Sequence, residues 1–310
     1  MNRLLKRIIK YSLFPVYLIY RECKNKYYQN LAEKQPQKLA AILYKRANGR
    51  KLNWENPQDL SEKINWMKFH CNLSKWTELA DKYLVRKYVE SKGLEDILVK
   101  LYGVWKTPEE IDFDKLPKSF VLKTNNSCGT VLLVKDKSNL NIEETRKTLN
   151  IWLRKKLGKE TVEPHYLDID PLIIAEEYLD MGNDLVDYKL HVVHGVTELV
   201  MVCSNRKIGK SADICLYDKD WNFRNDLLGT CHKYDNVLPI ECPKTFEKMK
   251  EYARILCQDF PFVRMDFYEV NGKVYFGEMT FTPKGGYCNT LTYAEQLRIG
   301  KLMKLPKALK

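Results

Sequence analysis

Asp266 and Glu278 are the residues of this chain whose type and spacing point most directly to chemistry. Asp266 lies in Val263-Arg264-Met265-Asp266-Phe267-Tyr268, and Glu278 in Val274-Tyr275-Phe276-Gly277-Glu278-Met279-Thr280. Both are short apolar runs of strand character, and Asn271-Gly272 between them signals a tight hairpin turn. Adjacent antiparallel strands would bring the two carboxylates together. With Arg264 beside them, they suit a magnesium ion that carries polyphosphate. Mg²⁺ is usually held by one or two carboxylates plus phosphate and water rather than by an all-protein cage. A plain hairpin with solvated acids on one face is the competing reading, and the hairpin alone leaves both open.

Other side chains enlarge the set. Lys123 ends an apolar run just before the small polar loop Asn125-Asn126-Ser127-Cys128-Gly129. A strand that delivers a lysine beside backbone amides is a phosphate cradle. With a single glycine, that loop fits neither the P-loop nor the GxGxxG pattern. Glu176 and Glu177 follow the apolar run Leu172-Ile173-Ile174-Ala175. Acids there are costly to bury without a partner; an adenine 6-amino group is one partner, with backbone hydrogen bonds from Tyr178 and Leu179, and a solvated strand end is the alternative. Lys189 either reaches a phosphate or is an ordinary solvated lysine. Asp168-Ile169-Asp170 has the D-x-D form of many sugar transferases, a pattern of only two acids. His165, His191, His194 and His232 lack zinc-ligand spacing, and no G-x-S-x-G or Cys-His signature is present.

The elements that must position these groups change texture along the chain. Residues 29–92 read as helical, with Leu60, Ile64 and Met67 on one face. From about residue 97 short strands alternate with helices. Strands are expected at 97–104, 120–123, 131–134, 172–179, 188–193, 198–203 and 214–217, and helices at 142–157, 246–257 and 291–302. A helical lead-in followed by hairpins and helices is an α+β architecture.

Charge is concentrated at one end. The chain of 310 residues has a net charge of +12. Residues 1–50 hold twelve Lys/Arg against Glu22 and Glu33, so the other 260 residues carry only +2. A nucleic-acid enzyme would spread basic charge over its folded body, so no nucleic-acid partner is expected. The uncharged run 11–20 is half the roughly 20 residues needed to span a bilayer. Flanking cations with Phe14, Tyr17 and Tyr20 suit contact with an anionic leaflet; a helix packed on the protein's own body is the alternative. The nine cysteines include no C-x-x-C pair, consistent with free thiols in a reducing cytosol.

The order of these pieces resembles the ATP-grasp nucleotide site, and more closely the TupA-like (teichuronopeptide-biosynthesis) ATP-grasp family of bacterial surface-polysaccharide gene clusters. The likeness is carried by Asn56-Pro57 with Glu62-Lys63-Ile64-Asn65-Trp66, Ala80-Asp81-Lys82-Tyr83 with Val85-Arg86, and Leu116-Pro117-Lys118-Ser119-Phe120-Val121-Leu122-Lys123-Thr124-Asn125. It continues through Ile174-Ala175-Glu176-Glu177-Tyr178-Leu179 and the two strands of the carboxylate hairpin, and covers about residues 40–290. It implies an α+β ATP-grasp fold, two subdomains clasping ATP. The division would be a basic segment 1–28, a helical lead-in 29–96 and a body 97–310, with a flap subdomain at about 118–178 and a metal-site subdomain at about 179–310.

The resemblance also assigns roles. Lys123 would contact the α- and β-phosphates, Lys189 would be a second phosphate contact, and Lys82 or Arg86 would supply one before the flap. Asn125, Ser127 and Gly129 belong to the loop over the phosphates. Glu176 or Glu177, with Tyr178 and Leu179, would hold adenine, and Asp184 the ribose. Arg264 would stabilise the transferring phosphoryl group. Asp266 and Glu278 would bind Mg²⁺, with Thr280 standing where such sites usually carry Asn. The implied activity is ATP-dependent ligation of a carboxylate to an amine through an acyl phosphate, on a small molecule or a surface glycan, by a cytoplasmic enzyme held at the inner leaflet through residues 1–28. Three other classes remain at this level: a glycosyltransferase using a nucleotide-sugar with Asp168 and Asp170, a phosphotransferase that stops at a phosphorylated acceptor, and a non-catalytic nucleotide-binding module.

Overall fold

The computed structural model describes residues 14–180, 186–205, 212–229 and 237–309. Helices come first: α1 (Phe14–Lys34), α2 (Pro36–Asn48), α3 (Leu60–His70), α4 (Ser74–Ala80) and α5 (Val85–Ser91). β1 (Leu101–Trp105), β2 (Phe120–Thr124), β3 (Val131–Val134), α6 (Ile142–Leu153) and β4 (Ile173–Glu177) follow. The remainder is β5 (Asp187–Val193), β6 (Val196–Ser204), β7 (Asp213–Tyr217), α7 (Phe246–Cys257), β8 (Val263–Val270), β9 (Lys273–Thr280) and α8 (Tyr293–Leu302). No helix among the described residues is long and apolar enough to cross a membrane. The basic stretch 1–13 lies outside the described residues.

Two antiparallel sheets result, one in the order β1-β4-β2-β3 and one in the order β7-β6-β5-β8-β9. Side chains alternate across each strand, and each sheet buries one face. In the smaller sheet Phe120 and Leu122 of β2 join Ile173 and Ala175 of β4 and Leu149 of α6 in one apolar cluster. In the larger, Leu190, Val192, Val200, Val202, Met265, Phe267 and Met279 pack with Met249, Ala253 and Leu256 of α7. Complete burial of a side chain such as Phe267 contributes about 1.5–3 kcal/mol. The opposite faces carry Lys123 and Glu176 in the smaller sheet and Lys189, Arg264 and Asp266 in the larger, beside apolar residues such as Ile174 and Met201.

The lead-in is anchored to this body. The α3 face Leu60, Ile64 and Met67 is buried in the large core. Its start is fixed by a capping box: Asp59 Oδ1 accepts from the Glu62 amide at 2.9 Å, and Glu62 Oε2 accepts from the Asp59 amide at 3.3 Å, an arrangement that satisfies two orphan helix donors. At the end of α1, Leu31 packs with Leu39, Ala40 and Val162. On α8, Gln296 Oε1 accepts from Ser61 Oγ at 2.6 Å, and just beyond the helix the carbonyl of Met303 accepts from Lys63 Nζ at 2.7 Å.

The strand expected at 97–104 begins later, at Leu101. A 3₁₀ turn at Glu95–Ile97 occupies its start, with the Leu98 amide bonded to the Glu95 carbonyl at 3.0 Å. The helix expected to reach 157 stops at Leu153. Arg154, Lys155 and Lys156 after it give its apolar face nothing further to bury.

Candidate active site

The hairpin β8–β9 carries the centre. Asn271 and Gly272 have φ of 52° and 72°, the two left-handed residues of a type I′ turn. From Val270↔Lys273 to Phe267↔Phe276 the pairing is regular, and then a bulge at Gly277 shifts it, so that Asp266 faces Glu278 and Arg264 faces Thr280. Without the bulge Asp266 would face Gly277, and Glu278 would turn to the apolar side with Met265. A one-residue shift inverts the faces of a strand. Gly277 is suited to the task because a Cβ there would lie 2.8 Å from the Asp266 carbonyl oxygen.

Four side chains then share one polar face. Arg264 Nε donates to Asp266 Oδ1 at 2.7 Å, and Nη2 donates to Asp266 Oδ2 at 2.8 Å, Glu278 Oε1 at 3.0 Å and Thr280 Oγ1 at 3.1 Å. From β5, Lys189 pairs with Asp266 and lies 3.6 Å from Asp187. Burial alone would lower the basicity of Arg264 and Lys189, yet Asp266 overrides it and holds both above their usual values. Burial likewise acts to raise Glu278, but Lys82, Arg264 and Lys189 hold it down at about 2.

The smaller sheet presents its own pair. Lys123 Nζ meets Glu176 Oε2 at 2.5 Å, and Arg86 meets the other oxygen at 3.5 Å. Register separates the two glutamates. Glu176 lies across from Val121, on the Lys123 face, while Glu177 lies across from Phe120, on the α6 face. Tyr178 and Leu179 continue from β4 half-buried. On the Lys123 face, Val121 is half-buried and Leu133 is exposed, an apolar patch of a kind that a flat ring can cover.

Lys82, in the turn between α4 and α5, joins the sheets. Its amide donates to the Asn125 carbonyl at 3.2 Å, its Nζ donates to the Ser127 carbonyl at 2.9 Å, and the same Nζ lies 3.9 Å from Glu278 Oε2. Asn125 is spent on scaffold: its Nδ2 donates to Asp81 Oδ2 at 2.8 Å and to the Asp170 carbonyl at 3.0 Å, and its Oδ1 accepts from the Leu172 amide at 2.7 Å. Ser127 Oγ shares hydrogen bonds with Thr124 and Thr130. Gly129 is exposed with φ of 74°. Asp184 lies outside the described residues. Asp168 and Asp170 are exposed in the loop before β4.

Asp266, Glu278 and Thr280 form a hard-oxygen donor set suited to Mg²⁺. Among the described residues no group of three or more His, Cys, Asp or Glu side chains could hold a metal, so phosphate and water would complete such an ion's shell. The family model described as TupA-like ATPgrasp matches residues 62–304. The chain belongs to this family. Its fold is accordingly the α+β ATP-grasp fold. No curated protein matches the chain. Among solved structures, it is similar to a D-alanine–D-alanine ligase from Bacillus anthracis crystallised with ATP, at 16% identity and a TM-score of 0.45 over 75% of this chain and 66% of that one. An L-amino acid ligase from Bacillus licheniformis matches at 13% identity and a TM-score of 0.45, over 76% of this chain and 50% of that one. A biotin carboxylase from Campylobacter jejuni matches at 12% identity and a TM-score of 0.47, over 80% of this chain and 54% of that one. The chain thus spans from half to just under two thirds of the length of these structures.

Sequence reasoning missed several groups around this TupA-like site. Tyr166 carries a phenol that burial raises well above its usual pKa, with Glu278 and Glu163 adding to the effect. After β9, Lys284, Gly285 and Gly286 take φ of 53°, 73° and 84°. That loop is tied from behind: Lys68 Nζ donates to the Gly285 carbonyl at 2.5 Å, Asn65 Nδ2 to the Gly286 carbonyl at 2.7 Å, and Thr282 Oγ1 to Glu163 Oε1 at 2.5 Å. Lys68 lies on the buried side of α3, where a lysine would not be placed by periodicity. For Gly277 a signal did exist, because an isolated glycine inside a strand pattern marks a bulge.

Proposed function

We propose that this protein is an ATP-dependent carboxylate–amine ligase. The observation that carries the reading is the gathering of Lys82, Lys189 and Arg264 at the facing pair Asp266 and Glu278, with Lys82 tying that pair to the loop after Lys123 along the seam between the two sheets. Paired cations and carboxylates on one face offer partners of both signs, as a magnesium–polyphosphate ligand requires. Asp266, Glu278 and Thr280 would hold the metal, which when bound supplies charge neutralisation and a Lewis-acid clamp on phosphate oxygens.

The chain's own part is positioning and electrostatics. The patch at Val121 and Leu133, with the backbone after Glu177, would receive the base. Lys123 and Lys82 would orient the phosphates. Arg264 would neutralise charge on the γ-phosphoryl group as a substrate carboxylate oxygen attacks phosphorus and the bond to ADP breaks. The acyl phosphate would then be attacked at carbon by an amine, with loss of the amine proton and departure of phosphate. Neither step requires a protein nucleophile.

The finer reading is that the acceptor is a bacterial surface polysaccharide, or its precursor, which gains an amino acid or acidic sugar. We also read residues 118–178 as the flap and 179–310 as the metal-site unit, with 1–28 holding the enzyme at an anionic inner leaflet. A variant lacking residues 1–28 that still sediments with membranes would remove the last point. The core proposal is tested by thermal shift with Mg-ATP and with a panel of nucleotide-sugars, on wild type and Glu278→Ala. A ligand that binds only the folded state must raise the melting temperature. A rise with Mg-ATP that shrinks in Glu278→Ala is expected; a rise with a nucleotide-sugar alone would overturn the ligase reading.

A further inference from the structure

One nitrogen, Arg264 Nη2, touches an oxygen of each of the three residues that would hold the metal: Asp266 Oδ2 at 2.8 Å, Glu278 Oε1 at 3.0 Å and Thr280 Oγ1 at 3.1 Å. It sits at the centre of the donor set. The contacts are charge-assisted, and the Nε bond to Asp266 Oδ1 at 2.7 Å makes the pairing with that carboxylate bidentate, the strongest form of such a bond. A guanidinium at that position and a divalent cation compete for these oxygens.

We propose that Arg264 is an internal stand-in for the metal, so that the site rejects a free divalent cation and accepts one only together with a polyphosphate. This rests on the ligase reading of the same site. A bare cation arriving alone would have to expel the guanidinium and leave it without an acceptor, and breaking a buried ion pair that way is strongly unfavourable. A nucleotide changes the balance because its phosphate oxygens offer Arg264 new bidentate partners. Asp266 does not lose its remaining compensation in the exchange, since Lys189 stays paired with it from β5. Metal and nucleotide are therefore coupled through one side chain, and the coupling is reciprocal. The exchange also moves the guanidinium toward the phosphate it is proposed to neutralise.

The test is Mn²⁺ binding followed by electron paramagnetic resonance, with and without a non-hydrolysable ATP analogue, on wild type, Arg264→Ala, Arg264→Gln and the double variant Arg264→Ala/Glu278→Gln. Melting curves establish that each is folded, and Arg264→Gln keeps a neutral donor in place should the alanine variant not fold. Wild type is expected to bind Mn²⁺ at least tenfold more tightly with the analogue than without it. Arg264→Ala or Arg264→Gln should bind free Mn²⁺ at least tenfold more tightly than wild type, although each binds the analogue more weakly. The double variant should lose that gain, which locates it at these oxygens. Free Mn²⁺ binding to wild type as tightly as to the Arg264 variants would overturn the stand-in role while leaving the ligase reading intact. No binding of Mn²⁺ or of the analogue to any variant or to wild type would overturn both.

Discussion

Replacing Lys68 by Met should change how stability depends on pH, by an amount the structure fixes. Lys68 is 3% exposed and donates to the Gly285 carbonyl and to Asn65 Oδ1. Burial pulls its pKa from 10.5 down to about 8, against the opposing influence of Glu163 and Cys288. Below that value both folded and unfolded chains hold the proton, so the folded state carries a constant penalty. Between the folded and unfolded values the unfolded chain binds more protons, and the folded state gains stability as pH rises. At about 1.4 kcal/mol per pH unit the interval is worth about 3 kcal/mol, most of it reached by about pH 10. Urea unfolding of wild type and Lys68→Met from about pH 7 to about pH 10 reads the difference directly. Tyrosines and cysteines that titrate over the same range act in both proteins and largely cancel. Wild-type stability relative to the variant should climb across the range. A flat or falling difference would show that the ammonium is not held in an unfavourable buried setting, and would refute the reasoning.

Gly277→Val should destabilise by about 1–3 kcal/mol through overpacking against the Asp266 carbonyl and should abolish the Mg-ATP thermal shift; a variant that keeps the full shift would mean that the bulge does not set the site. Asp59→Ala removes the α3 cap and the acceptor for Tyr44 at 2.7 Å and Arg50 at 3.1 Å, and urea unfolding should report a loss of about 2–3 kcal/mol; a loss within the error of measurement would discount the cap. The Glu278 carboxyl carbon, followed by NMR, should titrate near 2 rather than 4.5, and higher in Lys82→Met; a midpoint of 4.5 in wild type would contradict the charge arrangement at the seam.

The α+β architecture was legible because its signals are local. Strand patterns at 120–123 and 131–134 and the helix at 246–257 rest on periodicity and flanking turn residues, and the hairpin rests on Asn271-Gly272. Register is less local. The two-residue turn by itself predicts that Glu278 faces the core, and only the bulge at Gly277 reverses this. Glu176 and Glu177 could not be separated from the sequence, because which one shares a face with Lys123 depends on how β4 pairs with β2, about fifty residues away. Lys82 and Arg86 lie on neither sheet and reach Glu278 and Glu176 only through tertiary packing, so no spacing along the chain announces those pairings. Lys68 reads as a surface lysine in a helix, since its partners, Gly285 and Asn65, come together only after the strands and α3 have met.

The bonds between α3 and the C-terminal end of the chain also bear on when the molecule can form. Ser61 needs Gln296, Lys63 needs the Met303 carbonyl, and the His70 carbonyl accepts from the Leu309 amide. This helix is thus completed only by segments made more than two hundred residues later. Contacts so distant are intrinsically slow to form. During synthesis Leu60, Ile64 and Met67 must wait as exposed apolar surface until those later segments have emerged. In that interval α3 offers exposed apolar surface of the kind that chaperones cover.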